Sequence, residues 1–225
     1  MPIKLYCDPL STTCRPILLL AAEHDLRLEI QHVDLMTNES RSAAYGAINP
    51  NQIVPYLVDD DLEMGEGSAI LKYLADKIGS PAYPTALPAR AKVNEALDWF
   101  NTHFYRDFVY FLVYPQILPD DHRPRAEILP DLMAYGGEKS AKWLKVLDRH
   151  MLGDRPFVCG DEITLADHLG ACFVSMGWTI GYDFSPYPKV QAWLARMSAR
   201  PAWLVANAAF NGWISAVEAQ KRQAV

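Results

Sequence analysis

The chain has no CxxC pair. Its four cysteines, Cys7, Cys14, Cys159 and Cys172, lie apart, so they spell neither a dithiol redox motif nor a zinc-type cluster. In a reducing compartment they are expected to remain free thiols. The six histidines show no HxxxH or other paired spacing, and no metal site is expected. There is no run of about 18 apolar residues, so no membrane-spanning helix is expected. The segment from Met1 to Tyr6 enters a strand-like pattern without the apolar stretch of a signal peptide, which makes the cytoplasm the expected location. Basic runs are missing as well, and the formal net charge is −6. Nucleic acid and anionic membranes are therefore not expected as main partners. Repeats and low-complexity tracts are absent. What remains is a chain of 225 residues, 50% hydrophobic and 21% charged, long enough for one large domain or two modest ones.

Residues 1–80 alternate between strand-like and helix-like stretches. Ile3 to Cys7 and Leu28 to Val33 read as strands, and Ile53 to Val58 with Leu62 to Met64 as a hairpin around Asp59-Asp60-Asp61. Between the first two strands, Cys14 to Glu23 is a strong helix former. Pro16 is tolerated only in a first turn, which sets the helix start near Thr12 or Thr13. Ser68 to Ile78 carries Ile70, Leu71, Leu74 and Ile78 at helical spacing. The order βαβ, an irregular segment, then ββα predicts an α/β domain with a mixed sheet. Pro81, Pro84 and Pro88 mark residues 81–89 as a linker, and residues 90–225 read as all-helical. Helices are expected over Arg90 to Tyr114, Glu138 to Leu152 and Tyr187 to Ala199, with a break at Gly136-Gly137. Another opens at Ile163 to Asp167, where Thr164 and Asp167 have the spacing of a capping box.

Three short stretches carry chemistry. Ser11-Thr12-Thr13-Cys14-Arg15 precedes the first helix, whose N-terminus favours an anion. Thioredoxin-like proteins place a reactive CxxC there. Here Ser11 stands at the first position and only Cys14 remains. A serine cannot exchange disulfides, but it can donate a hydrogen bond to a thiolate supplied by a ligand; alternatively, Ser11 simply caps the helix. In the second stretch, Asn49 to Leu57, Pro55 opens a strand, and on frequency alone its peptide bond is trans, since about 5–6% of X–Pro bonds are cis. The third, Glu66-Gly67-Ser68, is a polar turn opening a helix. It can hold a carboxylate on its N–H groups and the Ser68 hydroxyl, and an ammonium on Glu66, or be a plain helix start.

Taken together, these stretches resemble the soluble glutathione transferase superfamily, in particular its serine-type theta and delta-like classes. The resemblance runs through Leu5-Tyr6, Ser11-x-x-Cys14-Arg15, Asn49-Pro50, Val54-Pro55, Glu66 and Ala69-Ile70-x-x-Tyr73-Leu74. It resumes at Arg90-Ala91-x-Val93, Tyr114-Pro115-Gln116-Ile117 and Thr164-x-Ala166-Asp167. It implies a thioredoxin-like N-terminal domain, an all-helical C-terminal domain, a homodimer, and glutathione as co-substrate without a metal. It further implies that Ser11 hydrogen-bonds the glutathione sulfur and that Val54, after Ile53 and ahead of a cis Pro55, pairs with the cysteinyl backbone. Glu66, Gly67 and Ser68 would hold the γ-glutamyl end, and Gln52 would lie near the glycyl carboxylate.

Two positions depart from that pattern. Gly67 stands where relatives usually have Ser or Thr, and Ser40 where delta-type relatives often have His, which leaves Arg41 as another donor for the glycyl end. The implied reaction is attack of the glutathione thiolate on an electrophilic, hydrophobic small molecule. That electrophile is expected between the domains, on the long helix after the linker, with Tyr105, Phe108, Leu112 and Tyr114 as pocket candidates or, equally, ordinary helix-packing residues. Arg106 reads as a solvated side chain or a substrate-side cation. The alternatives on the same fold are a glutathione-dependent isomerase or dehalogenase, a thiol reductase using Cys14 or Cys7, and a non-catalytic binding module.

Overall fold

Alternation along Ile3–Cys7 (β1) buries Ile3, Leu5 and Cys7, and this strand lies inside a four-stranded sheet. The computed structural model describes residues 2–223. After β1 come α1 (Arg15–Glu23), β2 (Leu28–His32), α2 (Ala43–Ile48), β3 (Tyr56–Asp59), β4 (Leu62–Met64) and α3 (Gly67–Lys77). The strand order is β2-β1-β3-β4; β2 is parallel to β1, while β3 and β4 are antiparallel to their neighbours. This is the mixed sheet that the element order predicts. Helix α1 starts at Arg15 rather than Thr12 or Thr13, because residues 12–14 form a turn in which the Cys14 and Arg15 N–H groups both donate to the Ser11 carbonyl, each at 3.1 Å. The segment read as irregular contains α2, capped by the Ser42 hydroxyl accepting from the Tyr45 N–H at 3.1 Å.

The helical part opens with α4 (Leu87–Trp99), which runs on through wide π-type turns over Phe100–Val113 into α5 (Tyr114–Ile117). Helix α6 (Leu129–Val146) carries Pro130 in its first turn and passes through Gly136-Gly137, where the sequence predicts a break. A Cβ on Gly136 would sit 2.8 Å from the Phe111 Cβ and 2.9 Å from the Asp107 carbonyl. The glycine therefore serves close helix–helix approach, and packing outweighs its low helix propensity. Helix α7 (Leu165–Val174) is buried along its whole length behind the Thr164/Asp167 capping box, and α8 (Pro188–Ser198) follows. Two further helices, α9 (Pro201–Ala206) and α10 (Ala208–Gln223), close the chain.

The chain forms two compact units. One comprises the residues up to Pro81 together with those from Arg200 onward, the other Ala82–Ala199. The sequence reading gives everything from residue 90 to a helical domain; in the structure α9 and α10 associate with the first unit. Arg15 accounts for this. Its fully buried side chain donates from Nε to the Asn207 Oδ1 at 2.6 Å, and its guanidinium lies 3.5 Å from the centre of the Phe210 ring and 5.8 Å from that of Trp203. A buried charged group needs hydrogen-bond partners and gains from packing on aromatic faces; Asn207, between α9 and α10, supplies the first, and Trp203 on α9 with Phe210 on α10 the second. Among the described residues no helix is long and apolar enough to cross a membrane.

Candidate functional site

The loop from β1 to α1 is pinned by the buried Asp8. Its carboxylate accepts from the Leu10 N–H at 2.8 Å and the Leu35 N–H at 3.1 Å, and its carbonyl accepts from the Ser11 N–H at 2.9 Å. Ser11 is thereby held ahead of α1 with its side chain half-buried. The Ser11 Oγ lies 3.2 Å from the Thr13 Oγ1, and the Thr13 hydroxyl donates to the Val54 carbonyl at 3.2 Å. Thr13 thus joins the helix opening to the second stretch singled out in the sequence.

The Val54–Pro55 peptide bond is cis, as the resemblance implies and against the frequency of X–Pro bonds taken alone. The preceding turn is fixed by Asn49 and Tyr45, whose side chains donate to the Ile53 carbonyl at 2.7 and 2.8 Å. Burial pushes the Tyr45 phenol up to about 12, so it stays protonated as a donor. Gln52 sits at φ +54° and its amide nitrogen donates to the Arg41 carbonyl at 3.2 Å. The opposite amide orientation would set oxygen against oxygen, so the free Gln52 atom is an acceptor. Ser40 is buried, while Arg41 is exposed.

The third stretch opens α3. Glu66 adopts φ +64°, its side chain is exposed, and its carbonyl accepts from the Ala69 and Ile70 N–H groups at 2.9 and 3.0 Å. Gly67 and Ser68 therefore begin the first turn, whose N–H groups have no intrahelical partner. A Cβ on Gly67 would stand 2.9 Å from the Thr13 carbonyl oxygen and 3.7 Å from the Pro55 Cγ. Only glycine allows that approach without displacing backbone. Ser11, Thr13, Val54, Pro55 and Gly67 thus form one contiguous cluster. Thr13 is the member that sequence reasoning missed; its hydroxyl two residues after Ser11 was the available signal.

Cys14 is fully buried. Burial pushes its thiol well up, the neighbouring Cys7 adds to this, and a hydrogen bond with Ser11 opposes it only weakly. Such a thiol is inert.

In the helical unit, Tyr105 is half-buried, stacks on Phe173 with ring centres 4.4 Å apart, and has its hydroxyl 3.1 Å from that of Tyr114. Burial raises the Tyr105 phenol pKa. Tyr114 and Leu112 are half-buried. Phe108 is fully buried, with the rings of Phe104 and Tyr182 at 4.9 and 5.2 Å, so it belongs to the core of this unit. Arg106 pairs with the buried Asp107 through two nitrogens at 2.7 and 3.1 Å, which occupies its charge.

Comparison with known proteins identifies the family. The family model for the glutathione S-transferase N-terminal domain matches residues 1–76, and that for the C-terminal domain residues 122–201. Glutathione S-transferase theta-1 of Bos taurus is 34% identical over 202 residues, covering 88% of this chain and 83% of the relative. The structure of human glutathione transferase theta-2 in complex with glutathione and an unknown ligand superposes with a TM-score of 0.80 at 27% identity, over 97% of this chain and 91% of that one. A delta-class glutathione transferase of Nilaparvata lugens does so with a TM-score of 0.80 at 30% identity, over 96% and 100%. The fold is thus a thioredoxin-like sheet domain joined to an all-α domain. The chain belongs to the glutathione S-transferase family, on its theta- and delta-like side, and is an enzyme of that kind.

Proposed function

We propose that this enzyme holds glutathione along the Val54–Pro55 and Glu66–Ser68 segments, ionises its thiol beside Ser11, and directs the thiolate onto an electrophilic, hydrophobic small molecule. The observation that supports this reading is the cluster itself. The Ser11 hydroxyl at the opening of α1 lies 3.2 Å from that of Thr13, and Thr13 in turn donates to the Val54 carbonyl ahead of the cis proline and backs onto Gly67 in the first turn of α3. In this reading the Val54 backbone pairs with the cysteinyl unit. Glu66 takes the γ-glutamyl ammonium, and the Gly67 and Ser68 N–H groups with the Ser68 hydroxyl take the carboxylate. Gln52 and Ile53 shape the glycyl end, where exposed Arg41 supplies the cation. Tyr105, Leu112 and Tyr114 face the electrophile, while Phe108 stays in the core of the helical unit. The enzyme works in the cytoplasm as a homodimer.

The energetics are modest. A free thiol with pKa about 8.5 is only a few per cent thiolate at pH 7. Lowering that value by about two units requires roughly 2.7 kcal/mol of preference for the anion. One hydrogen bond to a charge, about 1.5–3 kcal/mol, together with a helix N-terminus meets this. The protein needs no nucleophile of its own.

The test is a conjugation assay with a chlorinated nitroaromatic beside a disulfide-reduction assay, run on the native enzyme and on Cys14→Ala. Conjugation should be present in both proteins and disulfide reduction in neither. Native Cys14 should label slowly with a small alkylating agent at neutral pH, because its thiol is buried and raised in pKa. Fast labelling, with reduction lost in Cys14→Ala, would establish a reductase instead.

Glu66→Gln should weaken glutathione binding more than it lowers turnover, because the ammonium it holds does not change during the reaction. Steady-state kinetics at varied glutathione decide this. A loss confined to turnover at saturation would remove Glu66 from that role.

A further inference from the structure

The Thr13 hydroxyl has two partners and one proton. It stands 3.2 Å from the Val54 carbonyl and 3.2 Å from the Ser11 Oγ. While Thr13 donates to Val54, only Ser11 can be the donor between the two hydroxyls. The Ser11 proton is then committed within the protein, to Thr13 or to the neighbouring Cys14 sulfur, whereas stabilising a bound thiolate requires it to point at the sulfur of the ligand. Both hydroxyls must therefore turn when a thiolate arrives. Ser11 gives up its internal partner for the anion, and the Ser11 oxygen, now donating to a charge, becomes a stronger acceptor. The Val54 carbonyl, once it faces the amide of a bound peptide, no longer depends on Thr13.

We infer that Thr13 is a second hydroxyl of the thiol-activating group: with glutathione bound it donates to the Ser11 Oγ, and the chain Thr13 O–H to Ser11 O–H to sulfur polarises Ser11 toward the thiolate. This rests on the role proposed for Ser11. Thr13 touches neither sulfur nor electrophile and moves no proton; it is a positioning residue acting through Ser11. Gly67 makes the placement possible, because any Cβ there would meet the Thr13 carbonyl at 2.9 Å and push the loop carrying both hydroxyls.

The test follows the ultraviolet absorbance of bound thiolate through a pH titration, with glutathione affinity measured separately. Thr13→Val removes the hydroxyl and keeps the shape, and should raise the bound-thiol pKa by about half a unit, roughly threefold less thiolate below that pKa. Thr13→Ala should give the same shift and Thr13→Ser should restore the native value, with affinity held within about twofold in all three. In a Ser11→Ala background, Thr13→Val should cause no further shift, because the two residues act as one unit. A native pKa in Thr13→Val and Thr13→Ala, or an equal shift in both Ser11 backgrounds, would overturn the relay and leave Ser11 in place. An unshifted pKa in Ser11→Ala alone would instead overturn the role of Ser11 itself.

Discussion

Ser11→Ala is expected to lower turnover by about one to three orders of magnitude while glutathione still binds. Removing one donor aimed at a developing or resident anion costs about 2.7–4 kcal/mol in other enzymes. Glu66, Ser68 and Val54, the residues proposed to hold glutathione, are untouched by this change. The pH dependence gives the sharper signature. Hydrogen bonding to the anion lowers the bound-thiol pKa, so the reactive thiolate is fully present above that value and falls tenfold per unit below it. Loss of the Ser11 hydroxyl moves this limb toward higher pH, and the deficit should be greatest in acid and shrink as pH rises. Measuring kcat over the pH range at saturating glutathione tests both statements. A profile superimposable on that of the native enzyme would take Ser11 out of the mechanism.

The parts of this molecule that could be read from sequence are those written in local patterns. Alternation in Ile3–Cys7, helical spacing in Ile70, Leu71 and Leu74, and the Thr164-x-x-Asp167 box each depend on residues a few positions apart, and each forms as expected. What escaped depends on partners far along the chain. The Gly136-Gly137 pair looks like a helix break until Phe111 and Asp107 are placed against it. Nothing local marks Arg15, next to Cys14, as a core residue, yet it is buried against Asn207 and Phe210, at a separation of nearly the whole chain. The site follows the same rule. Ser11, Val54-Pro55 and Glu66 form a pattern in order and spacing. The placement of Thr13 beside Ser11 appears only when the turn before α1 is folded onto Val54 and Gly67, and the absence of a side chain at Gly67 is explained by that contact rather than by its neighbours in sequence. Tyr105 and Phe108 lie three residues apart on one helical stretch, but only folding separates the half-buried ring from the core ring.

Asp167→Ala is expected to cost the protein about 3 kcal/mol or more of stability. The carboxylate is fully buried and accepts four hydrogen bonds: from the Val158 N–H at 2.9 Å, the Thr164 N–H at 2.9 Å, the Thr164 hydroxyl at 3.0 Å and the Trp193 Nε1 at 2.9 Å. Burial pushes its pKa up, and these four donors pull against that shift. The arrangement ties the start of α7 to the loop at Val158 and to α8 through Trp193, so one residue holds three segments of the helical unit. Alanine would strand donors in a dry interior, at about 1–3 kcal/mol for each one left unsatisfied, and would also remove half of the capping box. Asp167→Asn should fall between. One amide oxygen can still serve Val158 and Trp193, but the amide NH2 then faces the Thr164 N–H, donor against donor. Urea denaturation followed by tryptophan fluorescence and circular dichroism measures the order native, Asn, Ala. In the fraction that remains folded, turnover per molecule should stay near native, since Asp167 belongs to the helical unit and not to the cluster around Ser11. An alanine variant within about 1 kcal/mol of the native protein, or an asparagine variant equal to it, would show that the four bonds are not what holds α7 in place.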